Sequence, residues 1–323
     1  MTTPTGTRHL VDPQLLDLLD NWPTIALTPD NLQAIRELSR LPMPAADEAG
    51  AAVQTERRTV AGPAGAPDVD VVIYRPAGGA SDPLPCIFHI HGGGYVLGSA
   101  AANEGLHRPL VARLGCVLIT VEYRLAPETV APGAVEDCYA ALDWTFANAV
   151  DLGIDATRIG VMGESAGGGL AAALALLTRD RGEHRLAFQH LIYPMIDDRT
   201  CTHADPHPHT GEFIWTPHNN HFGWKSLLGV EPGSDRVSPY AAAARAEDLS
   251  GLPPTFISTG SLDLFLEEDL EYARRLLRAA VPVELHVYPG GIHGFELAPD
   301  VAVSAQAVRD QTAALARFMD LTA

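Results

Sequence analysis

The sequence predicts an α/β fold: a mostly parallel sheet of eight strands flanked by helices, with a helical cap. Three observations lead there. From residue 86 onward, short apolar or β-branched runs alternate with helical patterns, the rhythm of strand-helix-strand units joined by right-handed crossovers. Two earlier strand candidates lie close enough to pair as a hairpin. Two segments, 1–50 and about 195–236, stand outside the alternation.

The strand candidates are 58–61, 69–75, 86–90, 116–121, 158–162, 186–193, 254–259 and 283–288, and the helical patterns fall at 103–114, 133–150, 168–181, 267–280 and 301–321. The stretches 61–67 and 76–85 carry Pro and Gly but are too brief for interdomain linkers, so they read as turns. There is no internal repeat. A chain of 323 residues suits one substantial core with an appended lid, here a domain over 51–323. The N-terminal 1–50 holds two short amphipathic patterns, 14–20 and 31–40, separated by Trp22-Pro23. The insertion at about 195–236 carries Phe213, Trp215, Phe222 and Trp224. Aromatics inserted between two sheet strands suggest a cap walling a substrate cleft, although any one of them could equally be cap core.

Composition excludes several classes. Hydrophobic residues make up 46% and charged residues 19%, ordinary for a globular protein. The formal net charge is -18, and Lys225 is the single lysine, so no basic stripe exists to follow a phosphate backbone and nucleic acid is not an expected partner. The acidity favours neutral or cationic substrates only weakly, through the long-range field. The N-terminus has no apolar signal region, and the longest apolar stretch, 170–177, is too short to cross a bilayer, so no membrane association and a cytoplasmic location are expected. Cys86, Cys116, Cys138 and Cys201 lack C-x-x-C spacing and read as free thiols. His203, His207, His209, His218 and His221 form no recognised zinc pattern, and no metal is expected.

The chemistry is concentrated in four short stretches. Gly163-Glu164-Ser165-Ala166-Gly167 lies between a strand and a helix pattern, the G-x-S-x-G turn in which a strained backbone exposes a serine above the sheet. Upstream, the apolar run Cys86-Ile87-Phe88-His89-Ile90 leads into His91-Gly92-Gly93-Gly94, whose exposed N–H groups suit an oxygen that becomes negative in a tetrahedral intermediate. A nucleophilic serine needs a base and a group to orient it, following in the order acid then histidine. Asp263 falls just beyond the strand candidate 254–259, and His293 just beyond 283–288, both at carboxyl ends of strands, where open α/β sheets place their chemistry. Glu267 and Glu268 are rival carboxylates but lie in a helix start, where acidic residues complement the dipole. His286 sits inside a strand pattern and reads as a strand residue.

These stretches, together with Tyr123-Arg124-Leu125-Ala126-Pro127-Glu128, Glu136-Asp137 and His293-Gly294-Phe295, resemble the hormone-sensitive-lipase branch of the α/β-hydrolases, especially its bacterial carboxylesterases and acetyl esterases. The resemblance covers residues 70–320. It implies the α/β-hydrolase fold, a cap built from the two outlying segments, and an oxyanion hole from the backbone of Gly93, Gly94 and Ala166. It further implies that His91, Gly92, Glu164 and the 123–128 segment support the site loops. Two positions depart from the family: Glu164, where many relatives carry aspartate, and Leu264-Phe265-Leu266, where relatives often carry proline and arginine. The expected function is a cofactor-free serine carboxylesterase with catalytic Ser165, Asp263 and His293. Bulky cap aromatics and the lack of a long apolar lid point to acetyl to butanoyl esters. The competing classes are an amidase or peptidase with the same triad and a non-catalytic small-molecule receptor. The expected partner is a small-molecule ester, with a homodimer left open.

Overall fold

The computed structural model describes residues 6–41, 52–78 and 82–321. Parts of the expected N-terminal cap segment, 1–5 and 42–50, and the middle of the 76–85 turn lie outside the described residues. Two short helices, α1 (Leu16–Asn21) and α2 (Leu32–Ser39), come first. The strands β1 (Val53–Val60), β2 (Val69–Pro76), β3 (Leu84–Ile90), β4 (Val117–Glu122), β5 (Ile154–Glu164), β6 (Gln189–Ile192), β7 (Thr255–Gly260) and β8 (Val283–Tyr288) form one sheet. Its order is β1-β2-β4-β3-β5-β6-β7-β8. The β1–β2 and β2–β4 pairs are antiparallel, and every pair from β4 to β8 is parallel.

The crossovers carry α3 (Glu104–Leu114), α4 (Gly133–Ala147), α5 (Ala166–Arg181), α6 (Pro217–Leu228) and α7 (Leu266–Arg278), and α8 (Ala302–Phe318) closes the chain. Central strands covered by helices on both faces read as continuous apolar runs, and β3 is buried from Pro85 to Ile90. The edge strand β8 instead alternates half-buried and exposed residues. Helix α5 is buried all round from Ala166 to Thr178, which its run of Gly, Ala and Leu permits. Cys86, Cys116 and Cys138 are buried free thiols, and Cys201 is a partly buried one. Among the described residues no helix is long and apolar enough to cross a membrane.

Among the strands, β1, β5 and β6 differ most from the sequence reading. β1 starts at Val53 instead of 58, because it pairs with β2 along its whole length although only Val53 and Val60 are buried; a polar edge strand leaves little hydrophobic signal. β5 begins at Ile154, held by a pairing of Leu84 with Ile154 across an irregular register. β6 is shorter than expected at Gln189–Ile192.

Chain order reverses at β3. β4 lies on one side of it and β5 on the other, so β3 and β5 flank the switch point of the sheet, the place where open α/β sheets bind ligands. The two outlying segments meet near that edge. Asn219, on α6, accepts from Leu27 N–H through Oδ1 at 2.9 Å and donates from Nδ2 to Ile25 C=O at 2.9 Å. His218 Nε2 lies 3.0 Å from Leu27 C=O, and Thr7 donates to Glu212 from both its backbone and its hydroxyl. Segments far apart in sequence are thereby stitched by polar contacts that no periodicity encodes.

Candidate active site

Ser165 occupies the turn between β5 and α5 with φ 56° and ψ -122°, a conformation that costs on the order of 1–3 kcal/mol for a non-glycine residue. The turn is held by its own backbone: Ser165 N–H donates to Ile192 C=O at 2.9 Å, and its C=O accepts from Gly169 and Met195 N–H at 3.0 and 2.9 Å. The flanking glycines are required by close approach. A Cβ on Gly163 would sit 2.3 Å from the Gly167 carbonyl oxygen, and one on Gly167 would sit 2.0 Å from that of Ile90.

Beside the serine stand the two residues singled out by chain order. His293 Nε2 lies 3.0 Å from Ser165 Oγ, and His293 Nδ1 lies 2.8 Å from Asp263 Oδ2. A carboxylate can only accept, so Nδ1 carries the proton and Nε2 presents its lone pair to the serine hydroxyl. Asp263, fully buried, also accepts from Phe265 N–H at 2.9 Å. The imidazole is enclosed by rings: Tyr193 at 4.8 Å and Phe265 at 5.2 Å both meet it edge to face, and Trp215 lies at 6.4 Å. Phe265 belongs to the stretch that departs from the family pattern, and its ring takes part in this enclosure. Ser165 and His293 are each only 7% exposed.

The loop after β3 lies against the serine turn. N–H groups of Gly93 and Gly94 donate to no protein acceptor among the described residues, and Ala166, as the first residue of α5, has no intrahelical carbonyl for its own. Glu164 anchors this loop: Oε1 accepts from Gly92 N–H at 2.9 Å and Asn103 Nδ2 at 2.7 Å, and Oε2 lies 2.8 Å from His89 Nε2. Burial works to raise the Glu164 carboxyl, but His89 and the Gly92 N–H outweigh it and hold it below the usual range. The longer glutamate thus reaches both the loop and β3. His91 turns away from the serine, donating from Nδ1 to Gly92 C=O at 2.8 Å and stacking on Tyr123 at 4.3 Å. Burial lowers His91 to about 4 and keeps it neutral. Tyr123 hydroxyl donates to His91 C=O at 2.9 Å, and Arg124 forms a two-pronged pair with buried Asp137.

The aromatics of the insertion divide. Trp215 lies directly over the loop, since a Cβ on Gly94 would meet its indole at 2.1 Å, and its Nε1 donates to Asn220 at 3.2 Å. Phe213 is partly buried against the cluster around Ile292 and Phe295, and Phe222 against the main core. Trp224 corrects the expectation. It has no exposed surface and packs on Tyr95 at 5.0 Å, so it is core and presents no face to a ligand.

Glu268 is a second correction. It does more than complement a helix dipole: it is buried, and its Oε1 accepts from Ile196 and Asp197 N–H at 2.7 and 3.2 Å while Thr200 bonds Oε2. Glu267 is exposed. His286 pairs with Glu284 on β8, away from the serine. The histidines of the insertion diverge, His218 to Leu27, His221 to Glu231, and His207 toward His209, and no group of three or more potential metal ligands converges among the described residues. Asn103 and Tyr193 had no signal in the sequence, because long-range packing alone brings them to the site, whereas Tyr95 directly follows the glycines of the His91–Gly94 stretch.

A family model for the alpha/beta hydrolase fold matches residues 87–297. The chain belongs to that α/β-hydrolase family, in its hormone-sensitive-lipase-like branch. Within it the protein is a carboxylesterase, a carboxylic ester hydrolase. It is 36% identical to carboxylesterase NlhH of Mycobacterium tuberculosis over 326 residues, covering 99% of each chain. Ethyl acetate hydrolase of Pseudomonas putida is 31% identical over 275 residues, 79% of this chain and 85% of that one. Among solved structures, bacterial heroin esterase superposes with a TM-score of 0.89 at 38% identity, covering 97% of this chain and 99% of that one.

Proposed function

We propose that the protein hydrolyses short-acyl carboxylic esters in two stages through an acyl-enzyme on Ser165. His293 Nε2 takes the hydroxyl proton as Oγ attacks the ester carbonyl, and Asp263 holds the imidazole tautomer and stabilises the imidazolium that forms. N–H groups of Gly93, Gly94 and Ala166 bind the oxyanion. The tetrahedral intermediate collapses as His293 returns the proton to the leaving alcohol, and water then repeats the sequence on the acyl-enzyme. No cofactor takes part. The observation that carries this reading is the continuous Asp263–His293–Ser165 hydrogen-bond chain, with links of 2.8 and 3.0 Å.

Support for short acyl groups comes from Trp215 over Gly94 and the low exposure of Ser165, with the joined N-terminal and inserted segments acting as the cap. The name of the ethyl acetate hydrolase relative points the same way. The test is Ser165→Ala with a p-nitrophenyl ester: turnover should fall by roughly four to six orders of magnitude, and an organophosphate should label Ser165 in the parent enzyme. Retention of more than a few per cent of activity, or labelling elsewhere, refutes the assignment.

A further inference from the structure

One buried cation sits behind the loop that leaves β3. Arg36, on α2, is 6% exposed, and its guanidinium forks to three groups. Nε donates to Val96 C=O at 2.7 Å, Nη2 to Ala126 C=O at 2.5 Å, and Nη1 and Nη2 to the Glu128 carboxylate at 2.7 and 2.8 Å. The ion pair alone is a weak reason to bury this residue, because the Glu128 side chain is 56% exposed and such pairs contribute about 0–1 kcal/mol. The carbonyl bonds distinguish Arg36, and the Val96 bond leads toward the serine.

The peptide unit whose oxygen Arg36 binds, Val96 C=O to Leu97 N–H, donates from its other end to Gly93 C=O at 2.9 Å. Val96 N–H donates to the same oxygen at 3.1 Å. That Gly93 carbonyl belongs in turn to the peptide unit whose other end is the Gly94 N–H. In a trans peptide the C=O and N–H point in opposite directions, so fixing the Gly93 oxygen aims the Gly94 N–H away from it, with no protein acceptor among the described residues. The chain therefore runs from guanidinium to Val96–Leu97 peptide to Gly93–Gly94 peptide. Each link is a donor meeting an acceptor in the same sense, the arrangement in which hydrogen bonds polarise one another. A second tie comes from α2, where Ser39 Oγ accepts from Gly98 N–H at 3.2 Å.

We propose that Arg36 is a positioning residue: through two hydrogen-bonded peptide units it orients and polarises the Gly94 N–H toward the developing oxyanion. This rests on Gly94 serving the oxyanion hole. It ties the N-terminal helix to transition-state stabilisation, so that α2 contributes to turnover as well as to covering the site. Arginine is needed because its planar fork satisfies two carbonyls and a carboxylate together, whereas a lysine reaching Val96 C=O keeps the charge on the relay but loses the fork.

The experiment compares Arg36→Ala, Arg36→Gln and Arg36→Lys in the full chain, with Gln33→Ala as a control, since the exposed Gln33 side chain on the same helix hydrogen-bonds Glu128 and, among the described residues, no group of the 93–97 loop. Two readouts are taken: kcat and KM for a p-nitrophenyl ester, and affinity for an alkyl trifluoromethyl ketone, which forms a tetrahedral adduct, against the matching methyl ketone. Arg36→Ala should lower kcat by roughly 10- to 100-fold, up to the loss for a misplaced group and below the roughly 10²- to 10³-fold loss when an oxyanion donor is removed outright, with KM little changed. Trifluoromethyl ketone affinity should fall in parallel while methyl ketone affinity holds. Arg36→Lys should be more active than Arg36→Gln, which can donate to Val96 but carries no charge, and Gln33→Ala should match the parent. Unchanged kcat and adduct affinity in Arg36→Ala overturns the relay, as does a loss confined to KM. If Arg36→Ala does not fold, the comparison of lysine with glutamine decides, and equal or greater activity for glutamine overturns the relay. Failure of the parent enzyme to prefer the trifluoromethyl ketone would instead refute the oxyanion reading itself.

Discussion

Glu268 and Asp263 show how differently two nearby carboxyls act. Asp263 meets an imidazole, and replacing it by asparagine supplies an N–H where an acceptor is needed, favouring the wrong histidine tautomer. Asp263→Asn should therefore cut kcat severely, by about 10⁴-fold as tautomer loss does in other triads, whereas exposed Glu267→Gln should leave it unchanged. Burial pushes the Glu268 carboxyl well above the usual range, and glutamine keeps a side-chain oxygen to accept from the Ile196 and Asp197 N–H groups. Glu268→Gln should stay near parent stability. Glu268→Ala, which strips acceptors from Ile196 and Asp197 N–H, should cost about 1–3 kcal/mol. Steady-state kinetics and denaturant unfolding of the four variants check this. Severe loss in Glu267→Gln with a mild Asp263→Asn would require reassigning the acid.

At the scale of elements, the turn after His293 is clamped to α8 and to the end of β6. Glu296 accepts from Gln311 Nε2, on α8, at 2.9 Å. Its neighbours there include Tyr193, which follows β6, and Asp263. Burial, the largest influence, lifts its carboxyl from 4.5 to about 7. The folded state then holds a proton that the unfolded state has released, so this group's contribution falls as pH rises between about 4.5 and 7 and stays low above that window. Glu296→Gln removes the titration and keeps the acceptor for Gln311. Its Tm advantage over the parent should be small at pH 5 and grow through pH 8, measured by thermal unfolding at one-unit steps. A Tm difference that does not change with pH would refute this.

For the whole molecule, the sheet brings four loop ends to one edge, and the outlying segments, joined where Asn219 meets Ile25 and Leu27, are the cap we propose over them. The short-acyl proposal takes Trp215, which lies over Gly94, as the wall that limits acyl length. A methylene that fits gains about 0.8 kcal/mol by burial, and one that displaces packed side chains costs on the order of 1–3 kcal/mol. Values of kcat/KM should therefore peak between acetyl and butanoyl esters and fall steeply by octanoyl, without a rise when substrate exceeds its solubility. Trp215→Ala should shift the optimum to longer chains. A parent preference for long-chain or emulsified esters would contradict the short-acyl proposal.

The local code of this chain was legible wherever one residue's chemistry or a short period carries the information. Alternating strand and helix patterns specify the parallel sheet, and glycines around Ser165 and after His91 mark turns that tolerate no Cβ. The order Ser165, Asp263, His293 singled out three residues that the structure places side by side. Tertiary structure decided what depends on contacts distant in sequence. Trp224 became core while Trp215 came to lie over Gly94, because packing against Tyr95 or the loop is invisible to composition. Glu268 went inside because backbone donors from residues 196 and 197 met it. Arg36 in sequence is one basic residue on an amphipathic helix. Only the folded chain sets it 60 residues away against Val96, because a buried guanidinium goes where carbonyls converge, and that convergence is a property of the assembled loops.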